Sequence, residues 1–568
     1  MKSSSTYKKG LRSLIIAAFI AVCSMSKAQI TLVQDYENTV SPTIGTFQGI
    51  EFKEAGFSGL YAIPGTNGKE FWTVSDRGVN VDAANANPST CRPTYDKIYG
   101  FPTYAPKIHR IRLNGSSVEI LQTITMKRPD GTNASGIINP TGFGSTALEV
   151  ASTDTVLTCD NFNLKTAAKD EWGIDSEGIV VDADGNFWIC EEGGPTIWKL
   201  NPNGVVLQRY TPYANQPGSL IQDIQIDSVF EFRKNNRGFE GIALTPNGKI
   251  YAFIQSPLLY PTKTVGENSR IHRILEIDPS TNQTQMFVYL NDGIIGSSGS
   301  NQIRLRDWKL GDAHAINNTE FLVLEAAARG TSDIKRLYKI DISNATPVTG
   351  GLYGGLTLEA LVDAAGLALH GIVPAQKTLH MDLLANGWNP ILDKAEGIAI
   401  IDANTIAICN DNDFGQYSPT ENGVAVATGK NSHVVVYSLN GADALTSYVP
   451  AASGLNQGIT GLSTLTTPYL QPLVADAQFT SILTVGDQVG GYKMVGIPDG
   501  AGAFDNNDGT FTMLLNHELG NTVGVTRAHG SIGAFISKWI INKSDLTVVS
   551  GSDLIQTCLL YTSDAADE

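Results

Sequence analysis

Short apolar or alternating segments, each bounded by turn residues, recur along the chain and predict a protein built from β-strands. Four segments open alike, on a small or acidic residue followed by glycine, and most lead through a hairpin turn such as Asp184-Gly185 into a second strand. The four openings are Phe57-Ser-Gly-Leu60, Ser176-Glu-Gly-Ile179, Phe239-Glu-Gly-Ile242 and Ala395-Glu-Gly-Ile398. This recurrence indicates a repeated structural unit.

Two further copies complete the predicted repeat. One begins at Ala313-His-Ala-Ile316. The other is inferred because the 119 residues from Ser58 to Glu177 are nearly twice the 63 from Glu177 to Glu240, and residues 156–161 fit as its second strand. Third and fourth strands follow in most copies. Six units of four strands predict an all-β fold, a six-bladed β-propeller, with a β-sandwich as the alternative.

The two ends of the chain differ from the repeat. Residues 1–28 combine basic residues, a ten-residue apolar run and Ser26-Lys27-Ala28, which predicts a signal peptide cleaved near Ala28 and a secreted or periplasmic location. No other apolar run approaches the roughly 20 residues that a membrane-spanning helix needs. We therefore expect the propeller to occupy residues 29–450, without a membrane span.

The residue composition of the chain changes after the predicted propeller. Residues 451–467 are rich in Gly, Ser and Thr and predict a linker. Residues 468–557 predict an incomplete second β domain; Leu514-Leu-Asn-His-Glu518 and Arg527-Ala-His-Gly530 are similar to the opening of a PhoX-type alkaline phosphatase propeller. Residues 558–568 resemble a translated sequencing adapter, so we expect a non-native tail on a truncated fragment.

Composition narrows the functional classes. The formal net charge is −16, which disfavours nucleic acid and anionic membranes as partners and favours cation binding. Cys190 and Cys409 share a strand position with apolar residues of other copies, which predicts buried small side chains rather than redox groups. We expect a monomer that acts on a small anionic substrate.

Carboxylates recur where the first strand of a repeat begins and the second ends, and in a propeller blade these two points lie on one face. The catalytic candidates are Asp76, Glu177, Glu240 and Glu396. The metal-ligand candidates are Glu177, Glu191, Glu240, Glu325, Glu396, Asp411 and Asp413. Oxygen donors without His or Cys favour Ca²⁺. In the alternative interpretation each Glu-Gly pair is structural, with Glu tying neighbouring blades through backbone N–H groups.

Basic residues beside these acids predict the binding of an anion. The substrate-binding candidates are Arg77, Arg237, Arg329 and Lys394. Guanidinium groups match phosphate or carboxylate oxygens, and a metal beside them suits phosphoester hydrolysis. Two alternatives stay open: a non-catalytic extracellular binding propeller, and a metal-dependent lactonase or esterase.

Five motifs together resemble the phytase-like family, which is described by the esterase-like activity of phytase. They are Ser75-Asp-Arg-Gly78, Asp175-Ser-Glu-Gly-Ile179, Arg237-Gly-Phe-Glu-Gly-Ile242, Lys394-Ala-Glu-Gly-Ile398 and Asn410-Asp-Asn-Asp-Phe-Gly415. The resemblance covers about residues 30–450. It implies a propeller and calcium-dependent phosphoester hydrolysis.

Overall fold

The computed structural model describes residues 30–83, 97–143, 149–151, 165–215, 219–416, 423–451, 459–466, 468, 470 and 479–557. The predicted signal peptide, the predicted strand at 156–161, Cys91, Cys159 and the C-terminal tail lie outside these ranges. The all-β prediction is confirmed, because the α-helices within the described ranges are only Lys263–Glu267 and Ala364–Leu369.

Strands, numbered in chain order, form five four-stranded antiparallel units that we call blades 1 to 5, and a parallel pair between Glu37 and Ser117 joins blades 5 and 1 into one eight-stranded sheet. Blade 1 contains β4 (Phe57–Ala62), β5 (Glu70–Ser75), β8 (Lys107–Asn114) and β9 (Ser117–Thr125). Blade 2 contains β12 (Ser176–Val181), β13 (Phe187–Glu191), β14 (Ile197–Leu200) and β15 (Val206–Thr211), extended by β16 (Ile224–Gln225). Blade 3 contains β17 (Phe239–Leu244), β18 (Ile250–Ile254), β19 (Ile271–Asp278) and β20 (Gln283–Leu290). Blade 4 contains β21 (Trp308–Ala315), β22 (Glu320–Arg329), β23 (Ser332–Asp341) and β24 (Gln376–Asp382). Blade 5 contains β25 (Lys394–Asp402), β26 (Thr405–Asp411), β27 (His433–Ser438) and β1 (Thr31–Glu37).

The first strand of each blade is innermost, and in the described part of the chain these five strands contact one another in a closed ring, β4–β12–β17–β21–β25. The approach is close enough to require glycine. A Cβ on Gly59 would lie 2.8 Å from the Cα of Gly178, and one on Gly397 would lie 2.6 Å from the carbonyl carbon of Gly59. Because β4 touches β12 directly, the ring has no place for another blade between them.

The prediction of six blades is therefore wrong for the ring that the structure describes, which has five. The long interval holds an insertion in two pieces instead, one between β5 and β8 of blade 1 and one after β9. Its strands form a mixed sheet made of β6 (Asn80–Asp82), β7 (Lys97–Tyr99), β10 (Glu149–Ala151) and β11 (Lys165–Thr166). This sheet packs on the hairpin β2 (Thr43–Phe47) and β3 (Ile50–Lys53) through Val81, Ile98 and Phe52. Spacing alone does not distinguish an inserted sheet from a blade.

The N-terminal strand completes the last blade. β1 pairs antiparallel with β27, with Thr31 opposite Ser438 and Glu37 opposite His433. The ring is thus closed by hydrogen bonds between the two ends of the propeller. This pairing holds together segments about 400 residues apart in the sequence.

The apolar core lies between neighbouring blades. Trp72 of blade 1 packs on Phe187 of blade 2 with ring centroids 5.0 Å apart, and Tyr251 of blade 3 packs on Phe321 of blade 4 at 4.7 Å. Inner strands such as β17 are buried at every position, because both faces of a blade are covered. Cys190 and Cys409 are buried free thiols in this core, as predicted.

The C-terminal part forms smaller sheets. β28 (Ile459–Thr460) pairs with β29 (Thr480–Ser481), and β30 (Gln488–Val489) pairs with β31 (Tyr492–Lys493). A four-stranded sheet contains β32 (Pro498–Asp505), β33 (Thr510–His517), β34 (Phe535–Asn542) and β35 (Val548–Asp553). Every residue of β32 is exposed. The described range that begins at Ile459 also contacts the propeller, since the Arg112 guanidinium donates to the Thr460 carbonyl.

Short 3₁₀ helices connect some of the strands. They span Thr141–Phe143, Ser228–Phe232, Leu305–Asp307, Leu358–Leu361, Leu384–Asn386, Asp413–Gly415 and Gly441–Asp443. Within the described ranges, none of the helices has the length and apolar character needed to cross a bilayer.

Candidate functional site

A polar cavity of about 340 Å³ lies at the end of the ring where the inner strands begin and the second strands end. We call it the inner compartment. Eight carboxylates and six basic side chains line it. The carboxylates are those of Asp76, Asp175, Glu177, Glu192, Glu240, Glu396, Asp411 and Asp413, and the basic residues are Arg77, Lys97, Lys234, Arg237, Lys309 and Lys394.

The structure brings most of the predicted site residues together there. All four catalytic candidates line the inner compartment, as do the substrate-binding candidates Arg77, Arg237 and Lys394 and the metal-ligand candidates Asp411 and Asp413. Glu177 and Glu396, on β12 and β25, lie at the same end of the ring, which is where the repeat placed them. Their roles stay predictions.

Three predicted residues lie elsewhere. Glu191 turns back on its own loop and accepts from Gly194 N at 2.8 Å and Thr196 Oγ1 at 3.0 Å. Glu325 is fully buried beneath the rim, where it accepts from Asp292 N at 2.8 Å and from the Tyr289 hydroxyl, and pairs with Lys377. These two carboxylates therefore do not line the rim, where the sequence analysis had placed them as metal ligands.

The position predicted for Arg329, at the rim, also differs from the one in the structure. β22 continues to Arg329, at the tip of its hairpin, and the side chain donates to the carbonyls of Gly299 and Gln302. The residue does not line the inner compartment. The prediction treated Glu325 as the strand end, whereas the hairpin of blade 4 extends beyond the rim.

His314 was aligned with Glu177 and Glu240, and this alignment is wrong. The register of β21 places Leu310 opposite Glu325 and Ala313 opposite Val323, so the strand is shifted relative to the other inner strands. His314 lies half-buried further along the ring, stacked on Tyr61, and desolvation lowers its pKa to about 4. Lys309 takes the rim position in blade 4.

Three overlapping carboxylate triplets have oxygens within 4.8 Å of one another. They are Asp76/Asp175/Glu177, Asp76/Asp411/Asp413 and Glu177/Glu192/Glu240. The first two triplets already contain a cation. Arg77 pairs with Asp175, and Lys394 lies 2.5 Å from Asp411 and 2.8 Å from Asp413. Burial alone would raise the pKa of Asp175, but the adjacent Arg77 guanidinium holds this pKa below its usual range.

The third triplet is the best candidate for a metal. Burial and mutual repulsion raise the pKa of Glu177 and of Glu192 well above their usual range, and burial raises the pKa of Glu240. Oε2 of Glu192 and Oε2 of Glu240 are buried without a hydrogen-bond partner among the described residues. An unsatisfied buried carboxylate oxygen is costly, and a divalent cation would offset that cost. The donor set of carboxylates alone fits Ca²⁺.

Beside this triplet lie cations without an acidic partner. Lys234, Arg237 and Lys309 line the compartment, and no carboxylate of the described residues lies within 4.0 Å of their nitrogens. Burial lowers the pKa of Lys309, and the nearby Arg237 and Lys394 lower it further. Arg237 donates to Ser256 Oγ at 3.3 Å. By contrast Arg77 is occupied, since it bonds Asp175, Tyr99 and Asn236.

The inner strands beneath the rim are held by one carboxylate. Asp312 on β21 is almost fully buried and accepts from the backbone N–H groups of Ile242 at 3.2 Å, Ala313 at 2.8 Å and Ile398 at 3.0 Å. Ile242 and Ile398 each lie two residues after a rim glutamate, Glu240 and Glu396. The tie between blades that the sequence attributed to the glutamates is thus made by Asp312.

Sequence reasoning missed other residues as well. Asp175 lies two residues before Glu177, and that neighbourhood was the signal that identifies it. Lys97 and Lys234 come from the insertion and from a loop, and Lys309 follows from the shifted register of β21. No repeat pattern marks these three lysines.

Comparison with known proteins identifies the family of the chain. A family model described as phytase-like, with the esterase-like activity of phytase, matches residues 53–414. The chain belongs to the phytase-like family. Members of this family are generally metal-dependent, and the carboxylate triplets of this member lie within the matched range. The match also contains every predicted site residue.

A relative of this family member is an uncharacterised secreted protein of Arthroderma benhamiae, 30% identical over 213 residues. The aligned region is 33% of this chain and 40% of the relative, so the chain spans about two fifths of that protein.

Solved structures are similar only at a low level. The PQQ-bound aldose sugar dehydrogenase of Streptomyces coelicolor is 11% identical with a TM-score of 0.27, covering 73% of this chain and 99% of its own. Virginiamycin B lyase of Staphylococcus aureus is 12% identical with a TM-score of 0.24, covering 72% and 100%. Scores this low support no inference about the present chain.

Proposed function

We propose that this chain is an exported, calcium-dependent hydrolase of phosphoric esters. One observation carries the proposal. Among the described residues, the inner compartment brings together buried carboxylate oxygens without hydrogen-bond partners and basic side chains without acidic partners. Family membership supports hydrolysis. The relative named as secreted supports export, as does the predicted signal peptide.

Glu177, Glu192 and Glu240 would hold the cation, with Asp76 and Asp175 next to them. Bound there, Ca²⁺ supplies polarisation of the phosphoryl oxygens and a water of lowered pKa. Arg237, Lys309 and Lys234 bind the phosphoryl oxygens and offset their charge. Arg77 acts indirectly, because its hydrogen bonds orient Asp175 and Asn236.

Glu396 is the proposed proton donor. Burial, Glu240 and Asp411 raise its pKa well above the usual range against the opposing effect of Lys394, which favours the protonated carboxyl that a proton donor requires. In the reaction the bond between the water oxygen and phosphorus forms while the bond from phosphorus to the alcohol oxygen breaks. The alcohol leaves with the Glu396 proton, and the proton released by water restores the carboxyl.

A hydrolysis screen of the purified chain tests the proposal. Phytate, phosphomonoesters, phosphodiesters and carboxyl esters are each incubated with Ca²⁺ and with a chelator. We expect phosphoester hydrolysis that the chelator abolishes and that Glu240→Gln lowers by at least about 100-fold, as for loss of a group that stabilises the transition state. Arg329→Ala is the matched control and should retain full activity, since Arg329 lies outside the compartment.

Metal binding is measured separately by calorimetry. Glu240→Gln should weaken calcium binding, and Arg237→Gln should leave it unchanged while raising KM. Hydrolysis that persists in chelator, or a carboxyl ester preferred over every phosphoester, would contradict the proposal. Calcium binding without hydrolysis of any ester would instead support a binding propeller.

A further inference from the structure

A second cavity, of about 450 Å³, adjoins the inner compartment. We call it the outer compartment. The two share six lining residues, Lys234, Arg237, Glu240, Lys309, Lys394 and Glu396. They are therefore two parts of one cleft, and the unpaired cations lie on the boundary between them.

The outer compartment exists because blade 4 overhangs the rim. β22 runs four residues past Glu325 to Arg329, whereas β13 ends at Glu191, which has the same position in blade 2. The overhanging wall carries Ala326, Ala327 and Ala328, and Leu310 and Gly311 line the compartment beside them. Small side chains on an extended hairpin leave open space next to the boundary cations.

The charges of the outer compartment are already matched. Arg304 lies 2.6 Å from Asp307, Arg306 lies 3.5 Å from Glu267, and Lys335 lies 2.5 Å from Asp333. These are the basic residues that line only this compartment. Its carboxylates also include Asp393, which pairs with Lys430 at 3.0 Å. Among the described residues, no cation that lines the outer compartment alone is free to bind a further anion.

We propose that the substrate is a phosphoric ester with a single phosphate and a neutral organic group, and that the organic group occupies the outer compartment. The inference rests on the proposed function and names its substrate class. The phosphate lies at the boundary, between the carboxylate triplet and Lys234, Arg237 and Lys309. A polyphosphorylated alcohol such as phytate is a poor substrate, because the cations that line only the outer compartment are already paired with carboxylates and leave none for its further phosphates.

Two substitutions outside the proposed machinery test the assignment with Ca²⁺ bound. Ala328 is exposed and lines the outer compartment, so Ala328→Trp fills the space. We expect kcat/KM for naphthyl phosphate to fall at least tenfold and that for methyl phosphate to stay within twofold. Glu267→Gln leaves Arg306 without its partner, and the ratio of phytate to naphthyl phosphate turnover should rise severalfold. Ala503→Trp, on the exposed strand β32, is the matched control and should change neither ratio.

Binding provides a readout that does not depend on turnover. Calorimetry with naphthyl phosphonate, which cannot be hydrolysed at its P–C bond, should show one site that Ala328→Trp weakens at least tenfold and Ala503→Trp leaves intact. Phytate turned over faster than naphthyl phosphate, or an equal effect of Ala328→Trp on naphthyl and methyl esters, would overturn the inference while phosphoester hydrolysis stands. Hydrolysis of no ester, with phosphonate binding that still responds to Ala328→Trp, would overturn the proposed function and leave the binding assignment in place.

Discussion

The inner strands of the propeller and strand β32 of the C-terminal sheet have similar sequences and opposite environments. Both contain glycine and small residues near a rim-like acidic position, as in Glu240-Gly-Ile-Ala243 and Asp499-Gly-Ala-Gly-Ala-Phe504. β17 is buried at every position and β32 is exposed at every position. A Cβ on Gly241 would lie 2.8 Å from Ala313 N, whereas one on Gly500 or Gly502 would meet no atom within 4 Å.

The role of a glycine-rich strand therefore depends on the strand that packs against it. In the ring, glycine lets neighbouring backbones approach until Asp312 can accept from β17 and β25 as well as from its own strand. That contact fixes the positions of Glu240 and Glu396 along the axis of the ring. In the described part of the C-terminal sheet, β32 has β33 on one side and no strand on the other.

Removing the shared carboxylate should have the largest effect. Asp312→Ala leaves three buried N–H groups without an acceptor, and each costs about 1–3 kcal/mol, so the free energy of unfolding should fall by about 3 kcal/mol or more. Asp499→Ala on exposed β32 should change it by less than about 0.5 kcal/mol. Denaturant titration of both variants measures the contrast, and a small effect at Asp312 would show that the ring does not depend on it.

A methyl group added to each strand should give the next largest difference. Gly241→Ala forces a contact with the backbone of β21 and should cost about 1–3 kcal/mol. Gly502→Ala has open space and should be neutral or stabilise by about 0.4–1 kcal/mol, because alanine restricts the unfolded chain. Equal losses in the two variants, measured by thermal unfolding, would mean that β32 packs like an inner strand.

Acid should destabilise the propeller through its buried histidines. Burial lowers the pKa of His314 to about 4 and that of His272 to about 3. Between these values and the ordinary pKa the unfolded chain binds more protons, so the free energy of unfolding falls as pH falls, by at most about 1.4 kcal/mol per pH unit for each group. Urea titrations at several pH values should show a shallower slope for His314→Gln. An unchanged slope would place the acid sensitivity elsewhere.

Deleting the C-terminal region should have the smallest effect. The propeller closes its own ring through β1 and β27, so a chain ending at Thr466 should unfold as cooperatively as the full chain, within about 0.5 kcal/mol. It should also keep the acid slope and aggregate less, since it lacks the exposed edge of β32. Unfolding of the propeller in the shortened chain would show that residues after 466 support the ring.

Much of the candidate site was predictable because its acids follow the repeat. Glu177, Glu240 and Glu396 occupy one repeat position, and equivalent positions in a ring of blades lie on one face. Glu325 and Arg329 were misassigned because the length of a hairpin depends on where pairing with the next strand ends, and β22 and β23 pair as far as Arg329 and Ser332. Asp312 and Lys309 were missed because a bulge in β21 shifts them relative to the repeat.

The all-β character of the chain, its repeats and the gathering of carboxylates and basic residues at one end of each repeat are readable from the amino-acid sequence. These properties follow from patterns that act over a few positions, such as alternation, hairpin turns and the Glu-Gly pair. The five-strand inner ring, the hydrogen bonds of Asp312 across it and the identity of the unpaired cations become visible only in the folded chain. Ring closure and charge pairing depend on backbones and side chains that meet from distant parts of the chain, so no single segment encodes them.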